Sequence, residues 1–429
     1  MGTNEQPKRR FFYGWVIMLM CMMLCMCGNG FVNIFNTFNP VFRSTYDWTA
    51  TSLSMIPTAV AVGNLVGNVV LMNMFKKKSS RFCIIVFGGI VSAGLICTAF
   101  ITNIYVLTAV FFICGCAMPA VAQITIPILI QKWFDARRNI AQGIAFVGST
   151  FANIILAPVF TYFLYTYNLR VGLILWGGIF AAAILLNLLL TKDKPEDMGL
   201  KPYGHNPGDP PPSKANKSES GVLIGFTSSE MIKMKEFYFA CAAILLTTIC
   251  CQGVIINVSS NLILNGYTPV VAAGIMSAYS TGVSIGKVCF GYLVDRFGAF
   301  KTLTSSHICL LLAYLMFYFV GQSITFAWLF VIFASLGYCW GSLAPLTICS
   351  GMFGDKYFAD NIPKITIAFY IGPIIGAPVA GIILDLTGAF QVALLLFVVL
   401  VALAEVLLQF GYRSAANKLK NRAAAHVIE

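Results

Sequence analysis

One lysine, Lys287, stands in an otherwise uncharged run at the head of the stretch YSTGVSIGKVCFGYLVDRFGAFK, residues 279–301. The last third of that stretch, Gly291-x-x-x-Asp295-Arg296-x-Gly298-x-x-Lys301, has the glycines and charges of a tight turn between two membrane helices. Lys287 precedes Asp295 by eight residues, about 12 Å of helix. In a hydrocarbon core about 30 Å thick, that places it near the middle. An ammonium group there costs roughly 2.5–3.5 kcal/mol on insertion scales. Its helical neighbours Val283, Ser284, Phe290 and Gly291 include no carboxylate. The chemistry open to such a cation is the binding of an anion, and a carried solute is expected to supply it. The competing reading is structural, a basic residue that buttresses its helix or takes part in gating.

Uncharged polar residues near the same depth could orient the rest of a ligand. Asn29 and Asn33 sit one turn apart in the first apolar run, and Asn36 continues their face. Gln123 lies in the fourth run, Gln252, Asn257 and Asn261 in the seventh. Ser280 and Ser284 precede Lys287 by seven and three residues, which sets them on its face, with Tyr279 beside them. Tyr370 and Trp340 could form an apolar wall. The bland alternative for each amide is a hydrogen bond to a neighbouring helix, and for Asn153 that reading is preferred. Glu405 lies eight residues before Arg413, again about 12 Å from a helix end. An intramembrane carboxylate there is a possible proton site, although bonding to a neighbouring helix is the favoured alternative.

The elements that position these groups follow from composition. Of 429 residues 58% are hydrophobic and 10% charged, and the mean hydropathy is +0.82, which excludes a soluble globular domain. The fold class expected is an all-α membrane protein, with twelve apolar runs long enough to span a bilayer. The first run is too long for a cleaved leader, and Lys8-Arg9-Arg10 before it suits a retained span. The net charge of +12 follows orientation and does not indicate a nucleic-acid partner. Of the 28 lysines and arginines, only Arg43, Arg170 and Lys287 fall outside the segments assigned to the cytoplasm when both termini are placed there. The 14 cysteines fall mainly inside apolar runs and read as small buried side chains. The three histidines are scattered, so neither metal nor cofactor is expected. Residues 192–235 are rich in Pro, Gly, Ser and charge and read as a cytoplasmic linker. They divide the chain into a six-helix bundle at 1–191, a second at 236–412 and a tail at 413–429. Val69 to Lys76 aligns position by position with Gly291 to Gly298, so the halves look like repeats. Two repeats around a midplane site is a transporter plan.

These features resemble the major facilitator superfamily over essentially the whole chain. Narrower marks are Tyr13-Gly14-Trp15, then Lys132-Trp133-Phe134-x-x-Arg137-Arg138-x-x-Ala141-x-Gly143, and Lys194-Pro195-Glu196-Asp197-Met198-Gly199. Together they are similar to the branch holding oxalate/formate exchangers and monocarboxylate transporters. The resemblance implies that the residue four before Gly291 holds a substrate carboxylate. That residue is an arginine in the branch and Lys287 here, which keeps the charge but loses the bidentate fork. Where proton-coupled members carry an aspartate one turn earlier, this chain has Val283, and Asn33 stands where some carry a lysine. Residues 365–384 contain neither Lys nor Arg, where oxalate exchangers use a second cation. One cavity cation suits a monoanion better than a dianion.

Around the turn, Asp295 and Arg296, between Gly291 and Gly298, are expected to latch the halves by ion pairing and helix-end contacts. Arg137 and Arg138 are expected to work with that gate. The expectation is a secondary transporter of small organic monoanions, monomeric, in the cell membrane, acting as exchanger, uniporter or proton symporter. The alternatives are a larger amphipathic anion, a neutral solute, or a non-transporting nutrient receptor. No nucleotide-binding loop or nucleophile triad is present, so an enzyme or an ATP-driven pump is not expected.

Overall fold

Long apolar runs in lipid must satisfy their own backbone groups, and the helix is the way a single segment does so. The computed structural model describes residues 12–28, 34–35, 38, 41–42, 45–46, 48, 50–71, 78–205, 224–387 and 389–428. The first half comprises α1 (Gly14–Gly28), α2 (Ala50–Leu71), α3 (Ser80–Thr98), α4 (Ile104–Trp133), α5 (Arg138–Thr166) and α6 (Leu169–Leu190). The second comprises α7 (Lys235–Leu264), α8 (Pro269–Phe297), α9 (Ala299–Tyr318), α10 (Ile324–Gly341, resuming at Ala344–Phe353), α11 (Phe358–Thr387) and α12 (Phe390–Ile428). Among the described residues, nine helices are long and apolar enough to cross a membrane, and α1, part of α2 and Ala344–Phe353 are shorter apolar pieces. α8 is 29 residues long yet is not one of the nine. Its middle carries Ser277, Ser280, Thr281, Ser284 and Lys287.

Side-chain caps start several of these helices. Ser79, Asn103, Asn168, Thr268 and Ser323 each accept a bond from a backbone N–H in the first turn of the helix they precede. Between α8 and α9 the chain reverses on the single residue Gly298, whose φ of 87° is open to glycine at little cost.

Prolines and glycines interrupt helices where polar groups must turn inward. Pro119 opens a π-helical turn at Pro119–Gln123 within α4. A second such turn, Ala152–Leu156, precedes Pro158 in α5. In α10 the chain tightens to a 3-10 turn at Tyr338–Gly341 and restarts ahead of Pro345. A proline lacks an N–H and clashes with the preceding turn, so the ladder slips at each of these places.

The halves repeat one another in packing. In the first, α2 packs on α4, α1 on α5, and α3 on α6; in the second, α8 packs on α10, α7 on α11, and α9 on α12. The main contacts between halves, α5 with α8 and α2 with α11, are also equivalent under that repeat. Of the segment 192–235, the described ends are seated on turns. Tyr203 exchanges backbone bonds with the α4–α5 turn, donating to Trp133 O at 2.9 Å and accepting from Ala136 N at 2.8 Å. Phe226 N donates to Phe353 O at 2.9 Å, and Ile224 O accepts from Asp355 N at 3.0 Å in the α10–α11 turn.

The far end of α12 docks on the same region. Lys418 Nζ lies 2.7 Å from Glu236 Oε1, and Arg422 lies 3.0 Å from Glu230 Oε2 with its guanidinium over Phe226. The bond from Arg422, followed by the Thr227 backbone N–H, holds the Glu230 carboxyl down at about 2. A depressed carboxyl stabilises the docked tail above its free value, and that contribution is lost as pH falls from roughly 4.5 toward 2. Exposed pairs of this kind contribute at most about 1 kcal/mol. Glu230→Gln is therefore expected to leave folding intact while speeding limited tryptic cleavage after Lys418 and Arg422 at neutral pH, followed by mass spectrometry of the tail peptides.

Candidate functional site

Lys287 sits in the middle of α8 with only 6% of its surface exposed. Its Nζ reaches across to the other half, donating to Phe146 O at 3.0 Å and to Ser149 Oγ at 2.7 Å on α5. Among the described residues no carboxylate lies within ion-pair distance of it. The sequence reading finds no acid within a turn of Lys287 on its own helix; the structure adds two oxygens from the other half. Two neutral oxygens satisfy two of its N–H groups, and neither cancels the charge.

Two glycines allow this reach. α5 and α8 cross with Gly143 against the Lys287 carbonyl and Gly291 against the Asn139 carbonyl, and a methyl group at either would collide with that oxygen. Small residues let membrane helices approach backbone to backbone.

Beside Lys287 a cavity of about 380 Å³ opens between the halves. Gln123 of α4, at the end of its π turn, faces it together with Phe146 and Ser149 of α5. The second half contributes Gln252, Tyr279, Val283, Tyr338 and Ser342, and from α11 Thr366, Phe369 and Tyr370. The Tyr370 hydroxyl donates to Gln123 Oε1 and ties α11 to α4 across the cavity. Ser342, in the break of α10, has a buried hydroxyl with no hydrogen-bond partner among the described residues.

The structure brings together Lys287, Gln123, Gln252 and Tyr370. It does not bring Ser280, Ser284 or Asn257 to the cavity wall. Ser280 Oγ donates to Met276 O, Ser284 Oγ to Ser280 O, and Asn257 Nδ2 to Gly253 O, each within its own helix. Period alone set the serines on the Lys287 face, but a helical serine hydroxyl can instead bond back to the carbonyl one turn earlier, as both do here. Asn29, Asn33 and Asn36 lie outside the described residues. Trp340 is fully buried behind the cavity, stacked on His307, and is not part of its wall. Glu405 is also away from the cavity, 2.6 Å from His307 Nδ1.

At the end of α8 the latch differs from the one expected. Among the described residues Asp295 makes no ion pair; it accepts from Asn139 Nδ2 at 2.7 Å and from the Ile140 backbone N–H at 3.1 Å, at the positive start of α5. Arg296 donates to Tyr292 Oη on its own helix. Among the described residues the ion pair across the halves is Arg138 with Asp355, at 2.7 Å and with side chains 14% and 3% exposed. Ser350 Oγ also donates to that carboxylate at 2.7 Å. Arg137 caps α5 in the left-handed region (φ 55°), with its side chain exposed. Asn68, fully buried on α2, donates to Pro363 O at 2.6 Å and accepts from Thr366 Oγ1 at 3.3 Å, joining α2 to α11. An amide in an apolar run, one turn after Asn64, was the available signal for Asn68. Nothing in sequence marked Ser149 or Asp355.

Comparison with known proteins identifies the architecture. The family model described as Major Facilitator Superfamily matches residues 17–357. The chain belongs to the major facilitator superfamily. As a member of that superfamily it is a multi-pass membrane protein and a secondary transporter of small organic solutes. Among similar proteins, monocarboxylate transporter 12-B of Danio rerio is 24% identical, over 88% of this chain and 82% of that one. Monocarboxylate transporter 12 of Homo sapiens is 24% identical over 93% and 80%, and monocarboxylate transporter 2 of Meriones unguiculatus 23% over 91% and 82%. A crystal structure of the facilitator FucP in the outward conformation superposes with a TM-score of 0.68 at 16% identity, covering 93% of this chain and 99% of that one. The proton:xylose symporter XylE gives 0.69 at 11% identity, over 92% and 94%. At these identities the two structures speak for the fold alone.

A cation kept for binding stands against stability, because exchanging buried charge for apolar volume is often stabilising. Lys287→Met is expected to raise the thermal stability of purified, solute-free protein, by on the order of 1–3 kcal/mol. Ser149→Ala, which removes one oxygen from the ammonium group, is expected to lower it. Thermal unfolding of both variants in detergent checks the signs.

Proposed function

We propose that this facilitator carries small organic monoanions of the monocarboxylate class, with Lys287 as the group that receives the carboxylate. The observation that carries the reading is a buried ammonium group in the cavity wall with only neutral oxygens on it. An ammonium group has three N–H donors. Phe146 O and Ser149 Oγ take two, which leaves the third for a guest in the cavity. Gln123 and Gln252 supply amide contacts to the polar remainder, and the Ser342 hydroxyl offers a further donor. A single cation in this wall supports a guest of charge minus one.

The same lysine links binding to motion. Its two bonds to α5 cross from one half to the other, beside the Gly143 and Gly291 crossing. A carboxylate arriving at Nζ competes with those bonds and neutralises the charge that would otherwise be buried when the halves rock. Only a ligand that interacts differently with the two states can shift their balance, and this one does. The Arg138–Asp355 pair and the Asp295 contacts are bonds between the halves that such rocking must break. The charge distribution supports an orientation with both termini cytoplasmic, and the protein is proposed to act as a monomer in the cell membrane.

The walls leave room for a bulkier acid. A volume of about 380 Å³, bounded by Phe146, Phe369, Tyr338 and Ile255, falls in the range of sites for drug-sized ligands. An aromatic monocarboxylate is therefore a second reading at the same lysine.

Counterflow in proteoliposomes with labelled formate, lactate and benzoate tests both. Lys287→Gln is expected to abolish counterflow of every acid while leaving folded protein, and Lys287→Arg to retain a reduced rate. Preference for benzoate would select the larger guest. Wild-type counterflow by the Gln variant would refute the assignment of the site.

A further inference from the structure

Behind the cavity wall, in the second half, a histidine and a glutamate meet inside the membrane. His307 of α9 is fully buried, and its Nδ1 lies 2.6 Å from Glu405 Oε2 on α12. Its Nε2 lies 3.0 Å from Thr247 Oγ1 on α7. The partners limit where protons can be. The Thr247 hydroxyl lies 2.7 Å from Ala243 O and 3.0 Å from Nε2, so it either donates to the carbonyl and accepts from Nε2–H or itself donates to Nε2. Nδ1 faces a carboxyl oxygen at 2.6 Å. Two lone pairs do not meet at that distance, so a proton lies between them in either arrangement, and the site can take one more when Thr247 turns to Ala243 O and Nε2 carries a hydrogen. Glu405 Oε1 is occupied separately, accepting from Gln409 Nε2 at 2.8 Å.

We infer that His307 and Glu405 form a proton-binding site, outside the solute cavity, whose occupancy is coupled to the cavity through Trp340. With that further proton the pair is neutral as a whole; without it a net negative charge is left in a low-dielectric interior, which is costly unless the site opens to water. The His307 ring stacks on Trp340 at 3.8 Å between centroids and 9° between planes. Trp340 belongs to the 3-10 turn whose Tyr338 and Gly341 line the cavity. On the other side, Thr247 stands one helical turn before Cys251 in the same wall. A shift of the α10 break thus moves a ring that rests on the proton site, and loss of the proton changes what that ring packs against.

Other groups around the pair shape its titration. α7 presents Thr247, α9 adds Thr304, and α10 brings Trp340 with the neighbouring Cys339 thiol. α12 brings Gln409, which in turn accepts from Arg413 at 3.3 Å. Gln409 and Arg413 thus extend a chain of polar contacts along α12 from Glu405 Oε1, the oxygen that does not face His307. The cycle moves one proton from water on one side to the pair and from the pair to water on the other. No other bond is made or broken, and with a monoanion in the cavity the combined movement is electroneutral. The inference rests on the anion-carrying reading for its coupling and stands without it for proton binding.

The test separates those two parts. In proteoliposomes with labelled lactate, Glu405→Gln and His307→Gln are expected to keep counterflow, which needs no net proton movement. They are expected to lose lactate accumulation driven by a pH gradient, along with the accompanying change of internal pH. Lys287→Gln is expected to lose both. A solute-free arm uses infrared difference spectra of the purified protein from about pH 5 to about pH 9, the span in which perturbed carboxyls and imidazoles titrate. Wild type and Lys287→Gln are expected to show a titrating carboxyl or imidazolium band that Glu405→Gln and His307→Gln lack. Wild-type accumulation in either dyad variant, or no such band in the wild type, would overturn the inference. Where a dyad variant fails to fold, the wild-type spectra and the remaining variant decide.

Discussion

An ammonium group in the low-dielectric middle of a membrane protein must be satisfied without being cancelled if it is to attract a guest. Lys287 meets that condition by reaching from α8 to a carbonyl and a hydroxyl on α5. The rest of the arrangement follows from that reach. α5 and α8 must touch at the backbone, which requires Gly143 and Gly291. Their contact sets the two halves side by side, and the breaks in α4 and α10 then turn Gln123, Tyr338 and Ser342 toward the gap so formed.

The latch at the end of α8 illustrates a second economy. Asp295 is neutralised by the start of a helix, while the ion pair that crosses the halves uses Arg138 and Asp355. Removing one member of a well-buried pair leaves the other uncompensated, and such losses are large. A carboxylate against a helix terminus is worth less, of the order of 0.3–1 kcal/mol at exposed sites. The two contacts are thus unequal, and the stronger one lies in residues that the turn motif does not include.

How much could be read beforehand depends on whether a property is local. Apolar length, the distribution of Lys and Arg, and the recurrence of one turn in both halves are local or additive, and they led to twelve helices in two repeats. Lys287 stood out because its cost is paid at its own position. The serines beside it did not reach the cavity, since the choice between a backward bond to Met276 or Ser280 and an outward one depends on what lies opposite. Gln123 and Tyr370 line the cavity because a π turn and a facing helix bring them together, a fact held by no single segment. Glu405 was noticed as a buried carboxylate, yet its partner His307 comes from a different helix and could not be paired with it from spacing.

The two ends of the connecting segment clasp corresponding corners of the molecule, Tyr203 at the α4–α5 turn and Ile224 to Phe226 at the α10–α11 turn. Arg138 and Asp355 issue from those same corners. The described ends of the connector are therefore each fastened to a turn of one bundle. Severing it in the middle would leave each stub in place, so the two bundles could be made as separate polypeptides and still find one another through α5 with α8 and α2 with α11.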